Sequence, residues 1–420
     1  MQPGTRIELT IEKPAAGGRM LARHNGQVVL VWGAIPGERV SARVERVGKG
    51  VIYADAAELL TPSADRRADP GDWRCGGNVL AFVAYPRQLQ LKGQIIQDAL
   101  ARIGRVPLPA APDVLGSPEH GYRMRARLHV SNGRVGFYRE GTHTLCGAAQ
   151  TRQLSDATNA WIAEAEQMIS RRSLTGLAAV EVSENMRGDQ RACHLELHAG
   201  TDAGRFEPLA SGLIGLSAER ADKAGVEVLG GTPTLTDTVT GVRLQRDVRA
   251  FFQGNRFLIE PLVQRVAALV PAGPVIDLYA GVGLFGLSLA AAGAPEVIVV
   301  EGDPVSGSDL SVNAEPFGDR VRVERRSVEQ FVALVRDPRR EDLRGATTIV
   351  DPPRTGMTRE ALAGVISLQP SRIVYVSCDV ATFARDTRTL LDAGYELAEL
   401  AGVDLFPNTA HVETVALFTR

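Results

Sequence analysis

From about residue 248 onward the chain alternates short apolar runs with helix-length segments, and that rhythm leaves few folds open. Strands fit Val275–Tyr279, Val297–Glu301, Val321–Arg325, Thr347–Val350, Ile373–Ser377, Tyr395–Leu400 and Glu413–Phe418. Helices fit between most of them, as at Leu258–Leu269, Phe285–Ala292 and Arg359–Ser367. Strands that alternate with helices pair in parallel and carry helices on both faces. The expected class is therefore α/β, a doubly wound, Rossmann-like sheet of seven strands. No helix-length segment separates the last two strands, so the last is expected to pair antiparallel.

In such a sheet, ligands bind beyond the C-terminal ends of the strands, and several chemically apt residues fall there. The first strand runs into Asp277-Leu278-Tyr279-Ala280-Gly281-Val282-Gly283-Leu284-Phe285-Gly286. Its glycines permit a tight turn and close approach of a ligand to the backbone. Glu301 ends the second strand, where a carboxylate can accept hydrogen bonds from ribose hydroxyls. Together they imply a nucleoside-bearing cofactor; NAD and S-adenosylmethionine both qualify. The fourth strand ends in Asp351-Pro352-Pro353-Arg354, a stiff loop that holds Asp351 at the edge. The fifth ends in Ser377-Cys378-Asp379 before a helix over 382–391. A lone cysteine is more often an inert, buried residue than a nucleophile, but a strand-to-helix position is expected to favour its thiolate. The last loop, Asp404 to Val412, delivers Glu413 to the same edge if the last strand is antiparallel.

The N-terminal part reads differently. Short strands at Thr5–Ile11, Gly18–Ala22, Val28–Val31, Glu38–Val47 and Gly50–Leu60, separated by Gly and Pro turns, suggest a small OB-type barrel. Residues 61–82 form a loop-rich linker, 86–104 an amphipathic helix with Leu89, Ile95, Ile96, Leu100 and Ile103 on its apolar side, and 107–112 a Pro-rich connector. Residues 121–250 look like an α+β unit, with a helix at Asp156–Arg171 and a hairpin over Ala179–Leu197. Arg123, Arg125 and Arg127 alternate, which would put three guanidiniums on one strand face, a grip for phosphates or an ordinary solvated surface.

Net charge is −2, yet residues 1–150 hold 20 Lys and Arg against 13 Asp and Glu, while the remainder holds 27 against 36. A basic N-terminal part on an acidic remainder suits a region that contacts phosphates. The uncharged run from Leu278 to Pro295 approaches transmembrane length, but four glycines and flanking Asp277 and Glu296 make it a turn plus a buried helix. The N-terminus lacks a charged-then-apolar signal pattern. Of 4 cysteines (Cys75, Cys146, Cys193, Cys378), none is spaced as Cys-x-x-Cys, so reduced thiols, with no disulfide framework and no metal site, are expected. A cytoplasmic location follows, with no membrane partner and no obligate protein partner evident.

Two stretches carry resemblances. "GGRMLARHNGQVVLVWGAIPGERVSARV" resembles the TRAM domain, an RNA-binding module. "FFQGN" (251–255), "DLYAGVGLFG" (277–286), "VEGD" (300–303), "DPPRTG" (351–356), "SCDVATFARD" (377–386) and "DLFPNTAHVE" (404–413), in this order, make the chain similar to the RNA (uracil-5-)-methyltransferase family. The resemblance implies S-adenosylmethionine as cofactor and RNA, ribosomal or transfer, as partner. It implies Cys378 as the nucleophile and Glu413 as the base. It places Gln253, Tyr279, Glu301 and Asp351, with Gly281 and Gly283 of the glycine loop, around the cofactor; Leu284 stands where some members have an asparagine. Domains are expected at 1–62 (TRAM-like barrel), 63–250 (central, RNA-binding) and 251–420 (methyltransferase), with helix 86–104 packed on the catalytic sheet. Many members hold a four-iron, four-sulfur cluster through four cysteines that include a Cys-Gly-Gly-Cys run. Here the run is Cys75-Gly76-Gly77-Asn78 and the late ligand position falls at Thr151, so no cluster is expected, and packing and hydrogen bonds must order loop 63–82. Two rivals remain: a nicotinamide-dependent oxidoreductase using the glycine loop, and a non-catalytic RNA-binding protein with a relic methyltransferase fold.

Overall fold

A computed structural model describes residues 1–335 and 345–420. Strands β1 (Arg6–Pro14), β2 (Met20–His24), β3 (Gln27–Trp32), β4 (Arg39–Val47) and β5 (Val51–Thr61) close a barrel in the order β1-β2-β3-β5-β4. Alternation builds it: Val40, Ala42 and Val44 point inward while Arg39 and Arg43 face solvent. The Pro36-Gly37-Glu38 turn fastens the following linker. Glu38 is fully buried and accepts hydrogen bonds from the Ile35 and Ser63 N–H groups and from the Arg66 guanidinium.

The linker is ordered by the edge-on contact of Trp73 with Phe82 (ring centroids 5.2 Å apart) and by the Gly76 N–H donating to the Tyr138 carbonyl at 2.9 Å. It also carries a feature that the reading of reduced thiols did not anticipate. Cys75 forms a disulfide with Cys146, 71 positions away. The pairing is between a loop and a strand brought together only by the fold, so no sequence spacing marks it. Cys193 is a buried thiol, and burial pushes its pKa up.

Helix α1 (Tyr85–Ala99) ends in a wider π-type turn over Leu100–Gly104. The connector then contributes a two-residue strand, β6 (Val114–Leu115). The central sheet has the order β13-β12-β11-β10-β7-β8-β9, from β7 (Arg125–Ser131), β8 (Arg134–Tyr138), β9 (Leu145–Gly147), β10 (Leu177–Glu184), β11 (Arg191–Leu197), β12 (Gly215–Arg220) and β13 (Lys223–Gly231). One face packs on α2 (Asp156–Arg171), through residues such as Leu128, Val180 and Leu195 against Trp161 and Ile162. A hairpin of β14 (Thr234–Val239) and β15 (Val242–Asp247) leads out of it.

The last unit holds α3 (Ile259–Ala268), β16 (Val275–Leu278), α4 (Leu284–Ala291), β17 (Val297–Glu301), α5 (Pro304–Ala314), β18 (Val321–Arg325), α6 (Val328–Val335), β19 (Thr347–Val350), α7 (Arg359–Ser367), β20 (Arg372–Ser377), α8 (Val380–Asp392), β21 (Glu396–Val403) and β22 (Glu413–Thr419). The sheet order is β18-β17-β16-β19-β20-β22-β21-β6. The seven expected strands are present, with β22 antiparallel to both β20 and β21. The sheet has eight strands rather than seven, because β6 adds in parallel to β21. A two-residue strand in a Pro-rich connector has no periodicity to betray it. Period-2 alternation divides the apolar residues between two layers: Val374 and Val376 pack with α3 and α4, and Ile373 and Tyr375 with α1, α7 and α8.

Helix α1 packs on the sheet as the resemblance implies, through part of the stripe read from the sequence. Ile95, Ile96 and Leu100 are buried, Ile96 and Leu100 in the core of the sheet, whereas Leu89 is half-buried and Ile103 is 45% exposed. Gln88 and Lys92 take further inward positions. Lys92 is fully buried, pairs with the equally buried Asp404 and donates to the Phe406 carbonyl at 3.0 Å. The Tyr85 hydroxyl donates to Asp404, and Gln88 exchanges hydrogen bonds with Asn408. The early helix thus grips the loop before β22. Lys92→Met leaves a buried carboxylate without its cation and is expected to cost about 3–5 kcal/mol, largely restored in Lys92→Met/Asp404→Leu. Urea denaturation of both variants measures this, and an unshifted midpoint in the single variant would remove the ion pair from the account.

Candidate functional site

The C-terminal edge of the sheet gathers the predicted residues by backbone geometry. After β16 the chain turns through Tyr279, Gly281 and Gly283, all at positive φ (63°, 57° and 101°). A Cβ at Gly283 would stand 2.4 Å from the Leu287 side chain, so only glycine fits beneath α4, whereas nothing lies within 4 Å of a Cβ built on Gly281. The loop is therefore closed below and open above. The Gly281 N–H donates to Glu301 Oε2 at 2.7 Å, and Glu301 Oε1 accepts from the Asp303 N–H at 2.6 Å. Burial raises the Glu301 pKa, and those backbone donors oppose the rise. Leu284 is buried in the adjoining core.

Asp351 follows β19 and accepts from Gln253 Nε2 at 3.1 Å, which ties the 251–255 segment to the edge. Burial pushes its carboxyl up to about 7, against the lowering effect of Gln253. Beneath the glycine loop, buried Asp277 accepts from the Gly286 N–H, and burial pushes it up to about 8.

Cys378 and Glu413 meet through strand register. Ser377 pairs with Thr414 in the β20–β22 ladder, so Cys378 stands opposite Glu413 one position further along. Cys378 lies in the bend just beyond β20, and Glu413 is held on its other side by pairing with Val403 of β21. Glu413 is 2% exposed, and its Oε1 has no hydrogen-bond partner among the described residues. Burial, then Asp351, holds its carboxyl well above the usual range, and Arg354 opposes them.

The expectation of a readily formed thiolate fails here. Burial, then Glu413 and Asp351, pushes the Cys378 thiol up to about 12, with Arg354 as the opposing cation. The helix N-terminus does not rescue it. Asp379 caps α8 by accepting from the Ala381 and Thr382 N–H groups at 3.1 and 2.8 Å, so those donors are already satisfied by a carboxylate.

Sequence reasoning missed three contributors. Arg354, inside the DPPRTG run, was given no role, yet it is the cation acting on both Cys378 and Glu413. Gln88 and Lys92 hold the last loop, and their spacing of four on an otherwise apolar helix face was the available signal. The three arginines do not act as one face. Arg125 pairs with Glu181, and Arg127 makes a two-pronged pair with Glu196 at 2.5 and 2.6 Å. Arg123 donates to the Arg125 carbonyl and lies near Phe406 of the last loop. Among the described residues no group of three or more His, Cys, Asp or Glu is placed to hold a metal ion. The donor set does not fit an iron–sulfur cluster either. Cys75 is bonded to Cys146, Asn78 donates to the Asp72 carbonyl, and the Thr151 hydroxyl donates to the Ala148 carbonyl.

Comparison with known proteins agrees with this layout. The tRNA (uracil-5-)-methyltransferase family model matches residues 244–420, and the TRAM domain model matches residues 1–57. An RNA methyltransferase of Thermosynechococcus vestitus is 32% identical, over 100% of this chain and 99% of its own. The 23S rRNA (uracil(1939)-C(5))-methyltransferase RlmD of Aeromonas hydrophila is 30% identical, over 99% and 96%. The chain belongs to the RNA (uracil-5-)-methyltransferase family. The fold is shared with the tRNA (uracil-54, C5)-methyltransferase of Pyrococcus abyssi, solved in complex with S-adenosyl-L-homocysteine. That structure superposes with a TM-score of 0.79 over 98% of this chain and 99% of its own, at 23% identity.

In this methyltransferase, a thiol held near 12 ionises far less at neutral pH than a free thiol of about 8.5. Alkylation of Cys378 by iodoacetamide is expected to be slow at pH 7 and to rise about tenfold per pH unit through the alkaline range. Glu413→Gln and Asp351→Asn remove acidic neighbours and are expected to speed it at fixed pH. Peptide mapping by mass spectrometry reads the rates, and fast labelling at pH 7 would contradict the electrostatics.

Proposed function

We propose that this enzyme methylates carbon 5 of a uridine in ribosomal or transfer RNA. The methyl donor is S-adenosylmethionine, and the path runs through a covalent bond between the Cys378 sulfur and uracil C6, with Glu413 as the base. The observation that carries the proposal is the opposition of Cys378 and Glu413 across the β20–β22 ladder, beside Asp351.

The residues fit the cofactor. The open space over Gly281 and the Glu301 carboxylate beside it suit an adenosine ribose, and Gln253, Tyr279, Gly283 and Asp351 complete the surround. When bound, its sulfonium supplies the methyl group and a positive charge. Cys378, Glu413 and Asp351 are three acids balanced by one cation, Arg354. Such a site favours a cationic ligand and gives up protons more readily once one arrives.

The chemistry accounts for each group. Uracil C5 is a weak nucleophile until the Cys378 thiolate adds to C6 and converts the ring to an enolate. C5 then takes the methyl group, forming a carbon–carbon bond as the donor's carbon–sulfur bond breaks. Glu413 accepts the C5 proton, the C6–sulfur bond breaks, and Cys378 leaves as thiolate. A base acts only within about 3 Å of its proton or through one water; the unpartnered Glu413 Oε1 is the atom available for it. The uridine must be turned out of its stack to reach this edge. In this reading residues 1–62 form a TRAM-like RNA-binding barrel, 63–250 a central RNA-binding unit and 251–420 the catalytic domain. The work is done in the cytoplasm. A nicotinamide oxidoreductase would leave Cys378, Glu413 and Asp351 without a shared purpose, and a relic RNA binder would not require them.

Labelled methyl transfer to RNA from cells that lack the protein tests the proposal. Cys378→Ala is expected to abolish it. Glu413→Gln is expected to accumulate a protein–RNA adduct on denaturing gels, because addition and methylation proceed while elimination stalls. No transfer by the wild-type enzyme to any RNA would sink the proposal, and an adduct-free Glu413→Gln gel would remove Glu413 as the base.

A further inference from the structure

We propose that Arg123 grips a phosphodiester of the RNA next to the uridine being methylated. The inference deepens the reading above and rests on it. Of the three alternating arginines, Arg125 and Arg127 lie in β7 and are neutralised by Glu181 and Glu196, while Arg123 precedes the strand. Arg123 has no carboxylate within ion-pair distance among the described residues. Its Nε donates to the Arg125 carbonyl at 2.9 Å and its Nη1 to Gln153 Oε1 at 2.7 Å. Its guanidinium carbon lies 5.3 Å from the Phe137 ring centre and 5.9 Å from that of Phe406. All these partners are neutral.

Other arginines near this junction are matched. Arg246 pairs with Asp237, Arg249 with Asp247 and Arg256 with Glu184. A guanidinium drawn largely out of water without an anion is costly unless a ligand completes it. Its location says which ligand. The Arg123 backbone bridges Asn255, at the end of the segment whose Gln253 holds Asp351. Phe406, against its face, begins the loop that leads to Glu413. Arg354 follows Asp351 by three positions, is exposed and lacks a carboxylate partner among the described residues. Its charge acts on Arg123, Cys378 and Glu413 alike, which adds to the positive field on this side of the cleft. The planar fork of Arg123, without an anion of its own, matches phosphate oxygens. In RNA the anion nearest a turned-out base is the phosphate of its own backbone. Holding it would fix the ribose and so aim C6 at Cys378.

The test compares the wild-type enzyme, Arg123→Gln and Arg127→Gln in methyl transfer to RNA from cells that lack the protein, across a salt series. Loss of one charge-assisted contact is expected to lower kcat/KM of Arg123→Gln about tenfold, chiefly through KM. It is expected to make the log–log salt dependence shallower by about 0.7–0.9, one phosphate's worth. Arg127→Gln, whose partner is Glu196, should keep the wild-type slope. An unchanged slope in Arg123→Gln overturns the proposal. A second measurement needs no folded variant: phenylglyoxal modification of Arg123 in the wild-type protein, read by peptide mapping, is expected to slow when oligouridylate is added. Unslowed modification also overturns it. A wild-type enzyme that methylates no RNA would instead defeat the function proposed earlier, and the protection measurement would still judge Arg123.

Discussion

The insertion of β22, antiparallel, between β20 and β21 is the constraint on which the site depends. In a wholly parallel sheet, strand ends of one kind collect at one edge and the other kind at the opposite edge. Reversing one strand brings its start to the edge where its neighbours finish. Glu413, first residue of β22, thereby stands across from Cys378, just past the last residue of β20. No loop has to bend the carboxylate into place, because pairing with Val403 fixes Glu413 in the sheet and the Ser377–Thr414 pair ends the ladder one position short of Cys378. The loop feeding β22 is held from behind by Lys92 and Gln88, so the register is braced on the side away from solvent.

The electrostatics of that edge set three acids against little positive charge. Cys378, Glu413 and Asp351 each hold their protons more tightly than the free groups do. The thiol is thereby kept unreactive toward passing electrophiles in the ligand-free protein. Arg354, on the stiff turn made by Pro352 and Pro353, is the nearby counterweight. Its exposure lets it answer to ligand charge as well as to protein charge.

Periodic features of this fold were legible from the residues alone. The barrel strands, the hairpin after Ala179 and all seven long strands of the catalytic sheet follow from alternation and turn residues, and they fall within a few positions of where the pattern puts them. Features that depend on partners far along the chain were not. Lys92 looks like a solvated lysine until Asp404, 312 positions away, is folded against it. The Cys75–Cys146 bond joins residues 71 apart. The capping of α8 by Asp379 was readable locally, whereas the burial that opposes a thiolate at Cys378 was not. For the candidate site, the sequence indicated which residues gather; the direction of their charge coupling required burial and neighbours in three dimensions.

The path of the chain between the barrel and the central sheet has a consequence for biogenesis. Helix α1 and strand β6, made early, pack against α8, β21 and the loop before β22, made much later. During synthesis the barrel can close as soon as its fifth strand emerges, and Leu91 and Gln88 of α1 can settle on it and on the linker. The face of α1 that carries Ile96 and Leu100 waits until α8 and β21 have been made, the kind of exposure that recruits chaperones. Completion of the catalytic edge thus waits on β22, so a chain terminated before Glu413 carries a finished barrel and no working centre.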